Sequence, residues 1–178
     1  MSIDVKSKEI LANLKSTDSA IVLEAIEKVR ESGNSILVGE MIELLHDTEH
    51  PEIKKNLYNL LSELKDAEST HVLIAAIKNE KYSKERVGLI ACCWQNGLNY
   101  NEYLPFFIDL VISEDFQIAF EAFTVIENMV GKIEEEVIKK ETIKLKGALK
   151  GANEQKAYLL NGLLTFIRDI PQQQEYTE

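Results

Sequence analysis

His46, Asp47, Glu49 and His50 crowd into one short stretch, and imidazole with carboxylate is a donor set that suits zinc and similar ions. Two imidazoles align on a helix only across an unbroken i, i+4 face. Here His46 ends one apolar-periodic stretch and His50 stands before Pro51, a helix-start signal, so that face is expected to be broken. His46 is expected to complement the negative end of its helix instead, and His71 stands alone. Cys92 and Cys93 offer thiol chemistry, but a reactive thiolate needs a nearby cation or a helix start. The nearest formal charge on their helix, Arg86, is well over a turn away. They read as two buried small hydrophobes. The acidic run Glu134-Glu135-Glu136 opens a helix, where negative charge offsets the dipole. No Gly-x-Ser-x-Gly elbow or Gly-rich phosphate loop is present to organise a catalytic centre. The expectation is a non-enzyme with no cofactor and no metal.

What must position these residues is a helical chain. Its 178 residues are 45% hydrophobic and 28% charged with only 8 Gly and 3 Pro, far from disordered or fibrous compositions. A chain of this length buries roughly 70% of its unfolded surface, enough for a sizeable core. The apolar runs, such as Leu89 to Trp94, are too short to span a bilayer, and charges interrupt Met1 to Ile10 where a signal peptide needs an apolar centre. Adjacent helical cysteines cannot form a strain-free disulfide, so reduced thiols and a cytoplasmic location are expected. A net charge of -10 opposes phosphate backbones, which excludes nucleic acid as the expected partner. The charge is uneven: residues 1–130 carry 12 Lys+Arg against 22 Asp+Glu, whereas residues 131–160 carry 7 Lys against 5 Glu. This locally basic last hairpin reads as a solvated outer face, with a docking patch for an acidic partner as the alternative.

Helix stops recur about every 32 residues, at Gly33, the Lys65-Asp66 pair, Gly97 and Gly131, and turns within pairs begin near Asp18, His50, Tyr82 and Glu114 at the same interval. A helical hairpin of that size cannot bury its stripe alone, so tandem hairpins stack into one continuous core. The stripes are legible. Ile10, Leu11 and Leu14 precede Val22, Ala25, Ile26 and Val29; Met41, Ile42 and Leu45 precede Ile53, Leu57, Leu60 and Leu61. The third pair has Val72, Leu73, Ala76 and Ile77, then a restart with Ser83 as cap and Val87, Ile90, Ala91 and Trp94 as core. The fourth opens on Asn99 with Glu102, a capping-box variant, and runs through Phe107, Ile108 and Val111 to Ile118, Ala122, Phe123 and Ile126. The fifth is longer, Ile133 to Lys150 and Asn153 to Ile170, and Pro171 is expected to stop it. A single domain over 1–170 and a frayed tail over 171–178 follow.

Pro51-Glu52-Ile53-Lys54-Lys55 and Lys84-Glu85-Arg86-Val87 resemble the short turn followed by β-branched and basic residues that opens second helices in HEAT-like repeats. The second repeat has Lys where that pattern has Arg, and most first helices lack its proline. Armadillo or another α-solenoid stays an alternative, though two helices per unit favour HEAT. The resemblance implies an all-α, right-handed α-α superhelix of about five hairpins. It also implies a scaffold that binds another protein with second helices on its concave side.

Val87 to Trp94 is apolar almost all round, as befits a central helix. Its least bulky line, Gly88 and Cys92 ending in Gln95, falls 32 residues from Asn56 and Glu63 on one side and from Phe120, Thr124 and Glu127 on the other. These eight residues are the expected partner-binding strip, with Gly88 and Cys92 leaving a shallow groove and Phe120 as anchor. The alternative for Phe120 is simple packing on Phe116 one turn back. Two rival functions share the fold: an enzyme resembling the HEAT-like alkylpurine DNA glycosylases, which needs a basic face where this strip has Glu63 and Glu127, and a regulatory or assembly subunit with a constant partner.

Overall fold

Helix-forming residues with apolar side chains at i, i+3, i+4 and i+7 give each segment one stripe to bury, and short Asn-, Asp- and Gly-bearing turns fold the segments into antiparallel pairs. The computed structural model describes residues 5–32 and 37–174. Among them are ten α-helices and no strand: α1 Val5–Leu14, α2 Ser19–Ser32, α3 Val38–Asp47, α4 Pro51–Ser62, α5 Ser69–Lys78, α6 Arg86–Asn96, α7 Leu104–Ser113, α8 Phe116–Glu127, α9 Glu135–Ala148 and α10 Glu154–Gln174. The all-α class and the five tandem hairpins agree with the sequence reading. The expected stop at Gly33 lies outside the described residues.

The chain divides into two compact units, Met1–Leu98 and Asn99–Glu178. In the first, three hairpins stack so that the second helices α2, α4 and α6 pack in a row and α3 packs on α5. The core is Ile10, Val22, Ile26, Met41, Leu45, Leu57, Leu61, Leu73, Ile77 and Leu89, all nearly inaccessible to solvent. In the second unit two hairpins stack, α8 on α10 and α7 on α9, around Leu104, Phe107, Val111, Ala122, Ile126, Leu145 and Leu163. Each unit therefore has a layer of first helices and a layer of second helices.

The local signals explain the ends. Pro51 opens α4 and Pro105 opens α7, where a missing N–H costs no helical bond. Asp115 caps α8 by accepting from the N–H groups of Gln117 and Ile118. Gly97 ends α6 at φ 66° and Gly131 follows α8 at φ 89°, a left-handed backbone that side chains disfavour.

Three expectations are corrected. Ser83 does not cap a helix: it ends a 3-10 turn over Glu80–Tyr82, and α6 starts at Arg86 after Glu85, which gives no side-chain cap. Trp94 is half-buried, not core, because α6 buries the arc of Arg86, Leu89, Ile90, Cys92, Cys93 and Asn96, leaving Val87, Ala91 and Trp94 on its shoulder. Pro171 does not stop the last helix. Helix α10 runs on to Gln174, so the expected boundary between residues 170 and 171 falls inside it; one proline removes one backbone donor, and the helix continues past that single loss.

Candidate functional site

The expected strip has five residues in the first unit, and there the second helices are already joined to one another. Arg30 of α2 donates to Glu63 at the end of α4 (2.6 Å), and Ser62 Oγ of α4 donates to Gln95 Oε1 of α6 (2.6 Å). Lys65 Nζ also donates to the carbonyl of Asn96 (3.1 Å). Asn56 turns its amide back to the carbonyl of Glu52 on its own helix (2.9 Å). Glu63 and Gln95 are exposed, yet each has a partner on the next helix.

The shallow groove expected at Gly88 and Cys92 is filled. Tyr58 of α4 lies over Gly88, where a Cβ would fall 2.6 Å from its Cζ and 2.8 Å from its hydroxyl oxygen. Cys92 is 1% exposed, and its sulfur accepts from Ser62 Oγ (3.5 Å) and lies 3.7 Å from the Tyr58 carbonyl. The smallness of Gly88 thus admits a neighbouring ring and leaves no floor for a ligand. Burial pushes the Cys92 thiol up to about 11, partly offset by the Ser62 hydrogen bond. Burial, with Glu85 and Cys92 adding to it, pushes Tyr58 up to about 12. A thiol held neutral is a poor nucleophile, in keeping with the reading of both cysteines as buried hydrophobes.

No single helix carries both His46 and His50: His46 lies in the last turn of α3, and His50 is the extended residue just before α4. His46 Nδ1 is 3.2 Å from the buried Glu85 carboxylate, and its ring meets Tyr82 edge-on at 5.6 Å. These contacts tie α3 to the segment between α5 and α6.

The second unit offers a different surface. Phe116, Phe120, Phe123 and Glu127 recur at i, i+4, i+7 and i+11 along one face of α8. Phe116 and Phe120 pack together, with ring centroids 6.0 Å apart, and remain 45% and 47% exposed. Phe120 thus packs on Phe116 one turn back and still faces solvent. Thr124 donates its hydroxyl to the Phe120 carbonyl (3.0 Å), so that group serves its own helix. Beside this face an open groove of about 590 Å³ runs between α8 and α10. Phe123 and Glu127 line it from α8; Tyr158, Gly162, Phe166 and Asp169 line it from α10, together with Asn161 and Thr165. Gly162 lets the Phe123 ring approach, for a Cβ there would fall 2.9 Å from that ring. Sequence reasoning found Phe120 and Glu127 and missed the α10 wall. The signal was present: residues 158, 161, 162, 165, 166 and 169 share one helical face.

The lysines of the last hairpin are partly committed. Lys144 pairs with Asp109 (2.7 Å) and Glu141 (3.0 Å), and Lys156 donates to the carbonyls of Val111 and Glu114. Lys139, Lys140, Lys146 and Lys150 face solvent. No helix among the described residues is long and apolar enough to cross a membrane.

No family model matches the chain, and no curated protein matches it. Among solved structures, the chain is similar to a designed armadillo repeat protein, YIII(Dq.V1)4CPAF, in complex with the peptide (KR)4. The identity is 18% over 96% of this chain and 92% of the other, with a TM-score of 0.40.

Proposed function

We propose that this chain is a non-enzymatic protein-interaction module of the HEAT-like helical-repeat kind, and that it holds its partner on the α8–α10 face of the second unit. The observation that carries this reading is the exposed aromatic surface of Phe116, Phe120 and Tyr158 beside an open groove floored by Phe123 and Phe166. Large aromatics left in water at a concave surface are what dominates binding energy at interfaces. Of the eight residues first expected to bind, Phe120, Thr124 and Glu127 stay in the proposal, and Gly88 and Cys92 leave it because they are packed. Asn56, Glu63 and Gln95 belong to the first unit and have no part in it. Two buried cysteine thiols fit a reducing, cytoplasmic setting.

The test pairs two variants that keep the core intact, Phe120→Ser and Tyr158→Ser, with the parent chain in quantitative affinity purification from the native cell. A partner retained by the parent and lost by both variants, at unchanged unfolding midpoints, supports the reading. Equal recovery with all three chains would sink it. The rival reading as a constant subunit of a larger assembly draws on the same exposed phenylalanines, and is favoured if the partner stays bound through salt and dilution.

A further inference from the structure

We infer that the occupant of the α8–α10 groove is an amphipathic helix, its apolar stripe on the aromatic floor and a Lys or Arg over the Glu127–Asp169 end. This rests on the reading of that face as a protein-binding surface and specifies what it binds.

The geometry comes first. Phe123 of α8 lies against Gly162 of α10, and Glu127 and Asp169 stand further toward the C-terminus of their respective helices while lining the same groove. The two helices therefore run the same way, and the groove runs along them. Its α10 wall extends from Tyr158 to Asp169, about three turns, or roughly 16 Å at 1.5 Å per residue. A groove parallel to two packed helices accepts a third helix laid alongside, its i, i+3, i+4 and i+7 side chains set between the two ridges. A peptide that adds as a β-strand needs unpaired backbone donors and acceptors at an edge, and helices α8 and α10 have theirs within the helix.

Charge then fixes the occupant. Glu127 is the last residue of α8, so its carboxylate and the negative end of the helix dipole act at one place. Asp169 adds a second carboxylate, which among the described residues pairs with its exposed neighbour Arg168 at 3.2 Å. Glu127 makes no ion pair among the described residues, and no Lys or Arg lines the groove. The aromatic floor suits apolar side chains and also the face of a cation, so Lys or Arg gains from both walls. An acidic helix meets repulsion from these carboxylates and from a chain of net charge -10.

The test uses the full chain and fluorescence anisotropy with three dye-labelled 18-residue peptides. One is an amphipathic Leu/Lys helix, the second its Leu/Glu counterpart, and the third has the Leu/Lys composition scrambled so that no apolar stripe remains. The Leu/Lys helix is expected to bind at least tenfold tighter than either. Glu127→Lys with Asp169→Lys is expected to weaken it at least tenfold, whereas Glu9→Lys with Glu102→Lys, the same charge change outside the groove, shifts it less than twofold. Unfolding midpoints establish that all variants are folded. Equal loss with both charge pairs, equal binding of the scrambled peptide, or no binding of the Leu/Lys helix would overturn the inference. So would self-association abolished by Phe120→Ser, which makes a second copy the occupant. If the native partner is lost by Phe120→Ser and Tyr158→Ser while the peptides show no such preference, the partner-binding face stands and only its occupant is wrong.

Discussion

Tyr58 of α4 and Gly88 of α6 share one space, the ring lying where a side chain at Gly88 would stand. The contact sets how closely two second helices approach in the first unit. It also turns the smallest residue of α6 into a packing residue.

Gly88→Ala is therefore expected to destabilise the chain by about 1 kcal/mol. Overpacking of about 1 to 3 kcal/mol is offset in part by the roughly 1 kcal/mol gained when Ala replaces Gly in a helix. In a Tyr58→Ala background the same substitution should change sign and stabilise, because only the helix term remains. Urea unfolding of the four chains of this cycle measures it. A Gly88→Ala chain more stable than its parent would show that the ring yields freely and that the contact sets nothing.

Cys92 and Tyr58 should make the chain sensitive to alkali. Burial favours the neutral form of both in the folded chain, so the unfolded chain releases these protons first, from ordinary values of 9.0 and 10.0. Stability from these groups is complete below about pH 9 and is lost as pH rises through about 11 for Cys92 and about 12 for Tyr58. Unfolding midpoints measured from pH 8 to 12 are expected to fall, and to fall less in the Cys92→Ala, Tyr58→Phe double variant. A parallel thiol titration should find both cysteines unreactive at pH 7 in the folded chain and both reactive in urea. A folded chain that reacts rapidly at pH 7 contradicts the assignment.

Gly97 takes φ 66° at the end of α6 with open space around it, so backbone strain alone decides a substitution there. Gly97→Ala is expected to cost about 1 kcal/mol and Gly97→Asn clearly less, since Asn tolerates the left-handed region better. Equal costs would point to lost packing in place of strain. Thermal unfolding of the two variants separates these outcomes.

The helix-ending glycines were legible because only glycine takes φ 66° and 89° without cost, and the hairpins were legible because apolar periodicity and turn residues recur together. The strip was legible only in part. A 32-residue offset gives equivalent positions along the chain, but it does not reveal how large the neighbour across the interface is. Tyr58 belongs to no equivalent set with Gly88 and Cys92, and it fills the space their smallness suggested. The α10 wall was missed for a related reason: the longer fifth hairpin shifts Tyr158, Gly162 and Phe166 out of the 32-residue register. Their periodicity along α10 was intact, but the residues they would face could be found only from packing.

Lys156 provides a further prediction, because it is a charge spent inside the second unit. Its ammonium donates to the carbonyls of Val111 (2.7 Å) and Glu114 (2.6 Å) at the end of α7, where backbone acceptors have no helical donor. It thereby ties the first turn of α10 to the turn between α7 and α8. Burial holds the ammonium below the ordinary lysine range, with Asp115 and Glu114 opposing that shift. Lys156→Met keeps most of the stem and removes both bonds, and is expected to cost about 2 to 3 kcal/mol. Lys156→Arg should recover only part, since a planar fork does not reproduce the geometry of a compact ammonium between two carbonyls. By contrast, Lys150→Met, at an exposed position, should change stability by less than about 0.5 kcal/mol. Urea unfolding of the three chains ranks them; a Lys156→Met chain as stable as the parent would return Lys156 to the solvated basic face and leave the α7 carbonyls to water.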